Sequence, residues 1–115
     1  MKALLDYVST VTDSRQEKKV LHKMMDIIML VFFATLAEAD DWVEIEVFGN
    51  EHVDFLRNYL ELPHGIPSHD TIQRVFAIVP PEFLENFQKK WNEMLNSDEG
   101  SKIKRLLAID GKTQR

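Results

Sequence analysis

Apolar residues recur at helical spacing through most of this 115-residue chain, and the gaps between the apolar runs hold the residues that start and stop helices. Leu4, Leu5, Val8 and Val11 predict a short amphipathic helix over 2–11. The polar stretch TDSRQEKK follows, with Asp13 placed to cap a turn leading toward Lys18 and Val20. From His22 to Ala39 the chain is apolar around most of a helical circumference, which predicts a central, largely enclosed helix. Its β-branched and aromatic residues would also suit a strand, but its length and its Met, Leu and Ala content favour helix. A third helix should begin at Asp40 or Asp41, with Glu44 in the capping-box position and Trp42, Ile45 and Phe48 on one stripe. Gly49 should end it, and Val53, Leu56 and Leu60 form a further stripe. Two prolines and a glycine make Pro63–Pro67 a loop. Ser68 caps a helix whose Ile72, Val75, Phe76 and Val79 face inward, with Asp70 in its first turn. Pro80-Pro81 ends that helix and starts another along Phe83, Leu84, Phe87, Trp91 and Leu95. SDEGSK reads as a linker, and Leu106–Ile109 as a short strand that delivers Asp110 into a glycine turn.

Charge changes this picture more than composition does. The chain has 44% hydrophobic and 29% charged residues, as an ordinary globular domain has, and is long enough for one modest core. No cysteine is present, which removes disulfides, thiolate zinc sites and cysteine nucleophiles. The net charge of −5 is unevenly spread. Residues 38–100 carry 14 acidic and 4 basic groups, a net of −10, whereas residues 101–115 carry 1 acidic and 5 basic groups, a net of +4. A protein that binds nucleic acid alone usually shows a broad basic patch; here only the last residues do. The N-terminus lacks a signal-peptide pattern, and the most apolar stretch, Ile27 to Ala37, is 11 residues against the roughly 20 of a bilayer span. A cytoplasmic protein with neither membrane partner nor small-molecule substrate is expected.

Two segments carry candidate chemistry. A carboxylate at the end of a strand and before a glycine, as Asp110 in LLAIDGKT, is a common way for α/β enzymes to present an acid or metal ligand, although Asp-Gly is equally an ordinary turn. The helix after Ser68 presents Ser68, His69, Gln73 and Arg74, and Arg and Gln have the bidentate geometry that reads guanine and adenine. Its plain reading is a packed helix with a wet outer face, since Glu61, Asp70 and Glu82 surround it with negative charge. The histidines match no metal-ligand spacing, although His22 is placed to act as a cap or to partner a carboxylate. The acidic stretch EADDWVEIE is a solvated face, or a protein contact anchored on Trp42. KIKR, Lys112 and Arg115 could touch phosphate.

Taken in order, DSRQ, HKMMDIIMLVFFATLAEADDWVEIEVFG, GIPSHDTIQRVF and AIDGKTQR resemble the N-terminal part of DDE-superfamily transposases of the H-repeat-associated and ISAs1 type. No segment is diagnostic alone; their order and spacing are specific and span essentially the whole chain. Ser14 stands where that family usually has proline. The resemblance implies an all-α bundle of five or six helices over residues 1–98. Residues 99–115 would then be a linker and the short C-terminal strand that begins a ribonuclease-H-like domain. It implies Asp110 as the first carboxylate of a catalytic Asp-Asp-Glu triad holding two Mg²⁺ ions, and DNA, at terminal inverted repeats, as partner, with self-association as another. Ser68, His69, Gln73, Arg74, Lys112 and Arg115 are the DNA-contact candidates. The other two carboxylates would lie beyond residue 115, and one carboxylate cannot hold two metals. A chain ending at Arg115 is therefore expected to be truncated, inactive and without a cofactor, contributing to element-end recognition or to support of a catalytic core. The competing expectation is a helical protein-interaction or dimerisation module with no DNA contact.

Overall fold

The computed structural model describes residues 1–15 and 21–110, with side chains as far as Leu107. Among these residues there are seven helices and no strand: α1 (Lys2–Val8), α2 (Met24–Leu36), α3 (Trp42–Glu51), α4 (Val53–Leu56), α5 (His69–Ala77), α6 (Pro81–Leu95) and α7 (Asp98–Asp110). The helical bundle expected from the periodicity is present. The C-terminal strand is not.

Residues read as linker and strand form one helix, α7, for identifiable reasons. The Ser97 hydroxyl accepts a hydrogen bond from the Gly100 N–H at 3.2 Å, so the supposed linker is a capped first turn. Asp98 and Glu99 occupy that turn, where the helix dipole favours negative charge. Ile103 and Leu107, four residues apart, are buried, while Lys102, Lys104 and Arg105 are exposed. A strand here would need a neighbour for its N–H and C=O groups, and the described residues supply none; a helix satisfies them internally. Leu106 to Asp110 accordingly form the last part of α7.

α2 is the centre. Asp26 to Val31 are buried without interruption, which happens only when a helix is enclosed on every side. α3 and α5 pack on it and on each other, while α6 holds α1 and α7. An aromatic cluster joins the two groups: Phe32 meets Phe87 and Trp91 at centroid distances of 4.7 and 5.5 Å, and Phe33 meets Trp91, Phe55 and Tyr59 at 5.4, 5.6 and 5.6 Å. Tyr7 of α1 stacks on Phe83 of α6 at 4.8 Å. The N-terminal ammonium pairs with Glu99 of α7.

Local signals place most helix starts. Asp41 accepts from the Glu44 N–H at 2.8 Å, and Glu44 reaches back to the Asp40 N–H at 3.1 Å. Pro81 opens α6. The ends are less readable. α2 stops at Leu36, short of the expected Ala39, because Glu38 takes a left-handed φ of 69°. The Glu38 and Ala39 N–H groups then return to the Thr35 and Ala34 carbonyls, both at 2.9 Å, a Schellman closure without glycine. Gly49 does not end α3. It is buried inside the helix, where an added Cβ would lie 2.8 Å from Ile66 and 3.2 Å from Leu30. It serves close packing instead.

One buried carboxylate fixes the path from α4 to α5. Asp26, 2% exposed, accepts from the Leu62 N–H at 3.0 Å, and Leu62 has φ 46°. The Leu62 carbonyl accepts from the Gly65 N–H at 3.0 Å and from Arg57 at 3.3 Å. Burial pushes the Asp26 carboxyl above its ordinary value of 3.8, against the pull of the Leu62 hydrogen bond. A raised acid contributes stability that is fully present below that ordinary value and lost as pH rises through the raised one. Asp26→Asn keeps an oxygen for Leu62 and removes the buried charge, so urea titrations from acid to neutral pH should show less pH dependence and no loss of stability at pH 7. Asp26→Ala leaves the Leu62 N–H unpaired and should cost about 1–3 kcal/mol.

Candidate nucleic-acid interface

α5 brings four of the predicted contact residues onto one short helix. The Ser68 hydroxyl accepts from the Thr71 N–H at 3.3 Å, and Ile72 and Val75 are buried against α2 and α3. Gln73 and Arg74 are exposed on the outer face, together with Asp70. His69, however, is tied to a carboxylate. Its Nδ1 lies 2.8 Å from Glu46 of α3, and its backbone N–H donates to the same oxygen at 2.7 Å. The helix N-terminus, where a phosphate could have bound, is thus taken by a carboxylate of the protein itself. Arg74 folds back, with its guanidinium 3.4 Å from both the Asp70 carbonyl and the Thr71 hydroxyl. The outer face of α5 therefore presents one tethered cation beside one exposed acid.

The His69–Glu46 bond raises the imidazole pKa above its ordinary 6.5 and lowers that of Glu46, each chiefly through the shared hydrogen bond. For His69 the stabilisation is complete below 6.5 and lost as pH rises through the raised value. For Glu46 it is present above 4.5 and lost as pH falls through the lowered one. An NMR titration should give His69 a midpoint above 6.5, and Glu46→Gln should bring it down. An unchanged midpoint in that variant would show that the two side chains do not pair in solution. No local pattern announces Glu46, which lies 23 residues before its partner.

The cations cluster on α7. Lys102, Lys104 and Arg105 are exposed within four residues, and among the described residues none forms an ion pair. Asp110 falls at the end of this helix, not at the end of a strand. Lys112 and Arg115, the remaining predicted contacts, lie outside the described residues, as does the path from Lys18 to Val20. Trp42, partly buried, packs at 5.8 Å on Phe76. His22 is not a cap. Its Nδ1 is buried without a partner among the described residues, and burial lowers its pKa. No group of three or more histidine, aspartate or glutamate side chains among the described residues could hold a metal. No helix among those residues is long and apolar enough to cross a membrane.

An enclosed apolar helix ringed by amphipathic helices, with Lys102, Lys104 and Arg105 exposed on the last of them, defines a small all-α module. The family described as DDE_Tnp_1-associated matches residues 5–92, and the chain belongs to that family. Over its whole length it is 41% identical to the "H repeat-associated putative transposase YhhI" of Escherichia coli K12, of which it covers 30%. It is 41% identical to the "H repeat-associated putative transposase YbfD" of the same organism, of which it covers 44%. The "Inactive transposase YbfQ", also from that organism, is 45% identical over 67% of this chain and 92% of its own length. The chain thus spans from under a third to under a half of the longer relatives. No solved structure matches it significantly.

Proposed function

We propose that this chain serves DNA transposition as the helical module of a transposase, and that it meets DNA through the outer side of α7. The exposed trio Lys102, Lys104 and Arg105 carries this reading, in a chain whose preceding 63 residues are strongly acidic. Phosphate contacts position a protein on a duplex, and unpaired cations on a rigid helix suit that task. Lys112 and Arg115 would extend the contact, with Gln73 and Arg74 of α5 secondary to it. Work on chromosomal DNA would place the protein in the bacterial cytoplasm. A second role, in protein contact, is favoured by α3, whose outer face exposes Val43 and Val47 among acidic residues.

Fluorescence anisotropy with a duplex carrying an element's terminal repeats tests the DNA reading. Affinity should fall with salt at a log–log slope of about −3 for three phosphate contacts. Reversing Lys102, Lys104 and Arg105 to glutamate should abolish binding, whereas Arg74→Ala should change it less than about threefold. No binding at low salt, or a collapse only in Arg74→Ala, would overturn the assignment to α7.

A further inference from the structure

Two polar atoms are buried at the start of α2, and among the described residues neither has a hydrogen-bond partner: Oδ1 of Asp26 and Nδ1 of His22. His22 stands just before the helix and Asp26 in its first turn, four residues on. Each side chain feels the charge of the other. Buried polar atoms are nearly always paired, so two left over at one place call for a reason. Three stretches of chain meet there. Arg15, paired with Asp13, donates to the His22 carbonyl at 2.8 Å and ties down the segment before α2. Oδ2 of Asp26 accepts from the Leu62 N–H and ties down the loop after α4. His64 of that loop stands edge-on to the His22 ring, with centroids 6.4 Å apart, and Lys23 pairs with Glu61 across the same junction.

We propose that Asp26 and His22 form a proton-operated latch: on taking up a proton, Asp26 donates its Oδ1–H to Nδ1 of neutral His22, locking the segment before α2 to the loop after α4. One proton from solvent neutralises the carboxylate and gives both unpartnered atoms a partner. His22 lies outside α2, so its ring can swing toward the carboxyl without disturbing the helix. The charges around the pair support this arrangement. Burial, the largest influence, raises the Asp26 carboxyl above its ordinary 3.8, against the pull of the Leu62 N–H, Lys23 and His22. Burial, then His64 and Arg15, hold His22 below its ordinary 6.5 against the pull of Asp26, which keeps the ring an acceptor. The Asp26 contribution is complete below 3.8 and lost as pH rises through the raised value. The His22 contribution is present above 6.5 and lost as pH falls through the lowered value. The latch is therefore closed where Asp26 is protonated and His22 is not. Deprotonation of Asp26 releases it at one end, and a second proton, on His22, at the other. The loop it holds runs directly into Ser68 and α5, so the latch sets how firmly that helix is seated.

A pH titration of the isotope-labelled 115-residue chain by NMR tests the proposal without DNA. As the Asp26 carboxyl carbon reports proton uptake, with a midpoint above 3.8, the His22 ring should stay neutral and its Nδ1 should carry the signal of a hydrogen-bonded acceptor. Asp26→Asn puts an amide N–H where the acid O–H would be, and should show that Nδ1 signal already at neutral pH. His22→Phe keeps the ring volume and removes the acceptor, so Asp26 should bind its proton about fivefold more weakly, the equivalent of one neutral hydrogen bond. A His22 ring that becomes imidazolium while Asp26 stays ionised would overturn the proposal, since the two would then form an ion pair. An Asp26 midpoint unchanged in His22→Phe would overturn it as well. If His22→Phe does not fold, an Nδ1 signal in Asp26→Asn that shows no acceptor bond decides against the latch.

Discussion

Phe33→Ala should cost about 3–5 kcal/mol of folding stability and lower the melting temperature by more than about 12 °C. Phe33 is fully buried on α2, and its ring is the point where α2, α4 and α6 meet. Phe55 and Trp91 present themselves edge-on to it, with interplanar angles of 85° each, and Tyr59 closes the third side at 5.6 Å. Truncation would remove a large buried apolar area and leave rings that cannot all collapse into the gap, because Phe55 and Trp91 are held by α4 and α6 and Tyr59 by the turn after α4. Chemical denaturation measures the loss, and Phe33→Leu, which refills part of the space, should recover a substantial share. A loss below about 1 kcal/mol would mean that the cluster is not the joint between the two helix groups.

Gly100→Ala should separate α7 from the end of α6 at a cost of about 2–3 kcal/mol or more. An added Cβ would sit 2.3 Å from the Met94 carbonyl oxygen, 2.5 Å from the Leu95 Cα and 2.6 Å from the Leu95 carbonyl carbon. All three are backbone atoms of a helix, so no side chain can swing aside to relieve the overlap. The turn is also fixed from within. The Ser97 hydroxyl donates to the Met94 carbonyl at 2.5 Å while accepting from the Gly100 N–H. Displacing α7 would break that cap and strain the pairing of Glu99 with the N-terminal ammonium. Hydrogen exchange should therefore quicken across α7 well before it quickens in α2. Ser101→Ala, one residue away and exposed, should be nearly neutral. Equal protection of α7 in Gly100→Ala would show that the two helices do not approach so closely.

The family was legible in the order and spacing of four segments, and the DDE_Tnp_1-associated match over 5–92 agrees with that reading. The candidate site was legible only in part. Ser68 as a cap and the exposure of Gln73 and Arg74 follow from helical spacing, and both hold. His69 was expected among the exposed residues, yet it is half-buried against a carboxylate from another helix. The strand expected around Asp110 failed for a related reason. Four apolar residues in a row have no period of their own, so the structure of their neighbours decides between helix and strand. Here the decision came from Ser97, Gly100 and the buried pair Ile103 and Leu107.

Several properties that depend on a residue and its neighbours within one turn are legible in this sequence: the caps at Asp41 and Ser68, the proline start of α6 and the loop at Pro63–Pro67, with the apolar run of α2 giving its enclosed character. These rest on backbone dihedrals and local hydrogen bonds, which sequence neighbours control. Gly49 and Gly100 look like the same kind of signal and are not. Both are read as stops or linkers from the chain alone, and both are places where another backbone or side chain comes too close for a Cβ. Asp26 and Glu46 likewise look like ordinary helix carboxylates, until folding sets one against the Leu62 N–H, 36 residues on, and the other against His69, 23 residues on. Contacts across such separations depend on how helices cross, and only the assembled bundle fixes that.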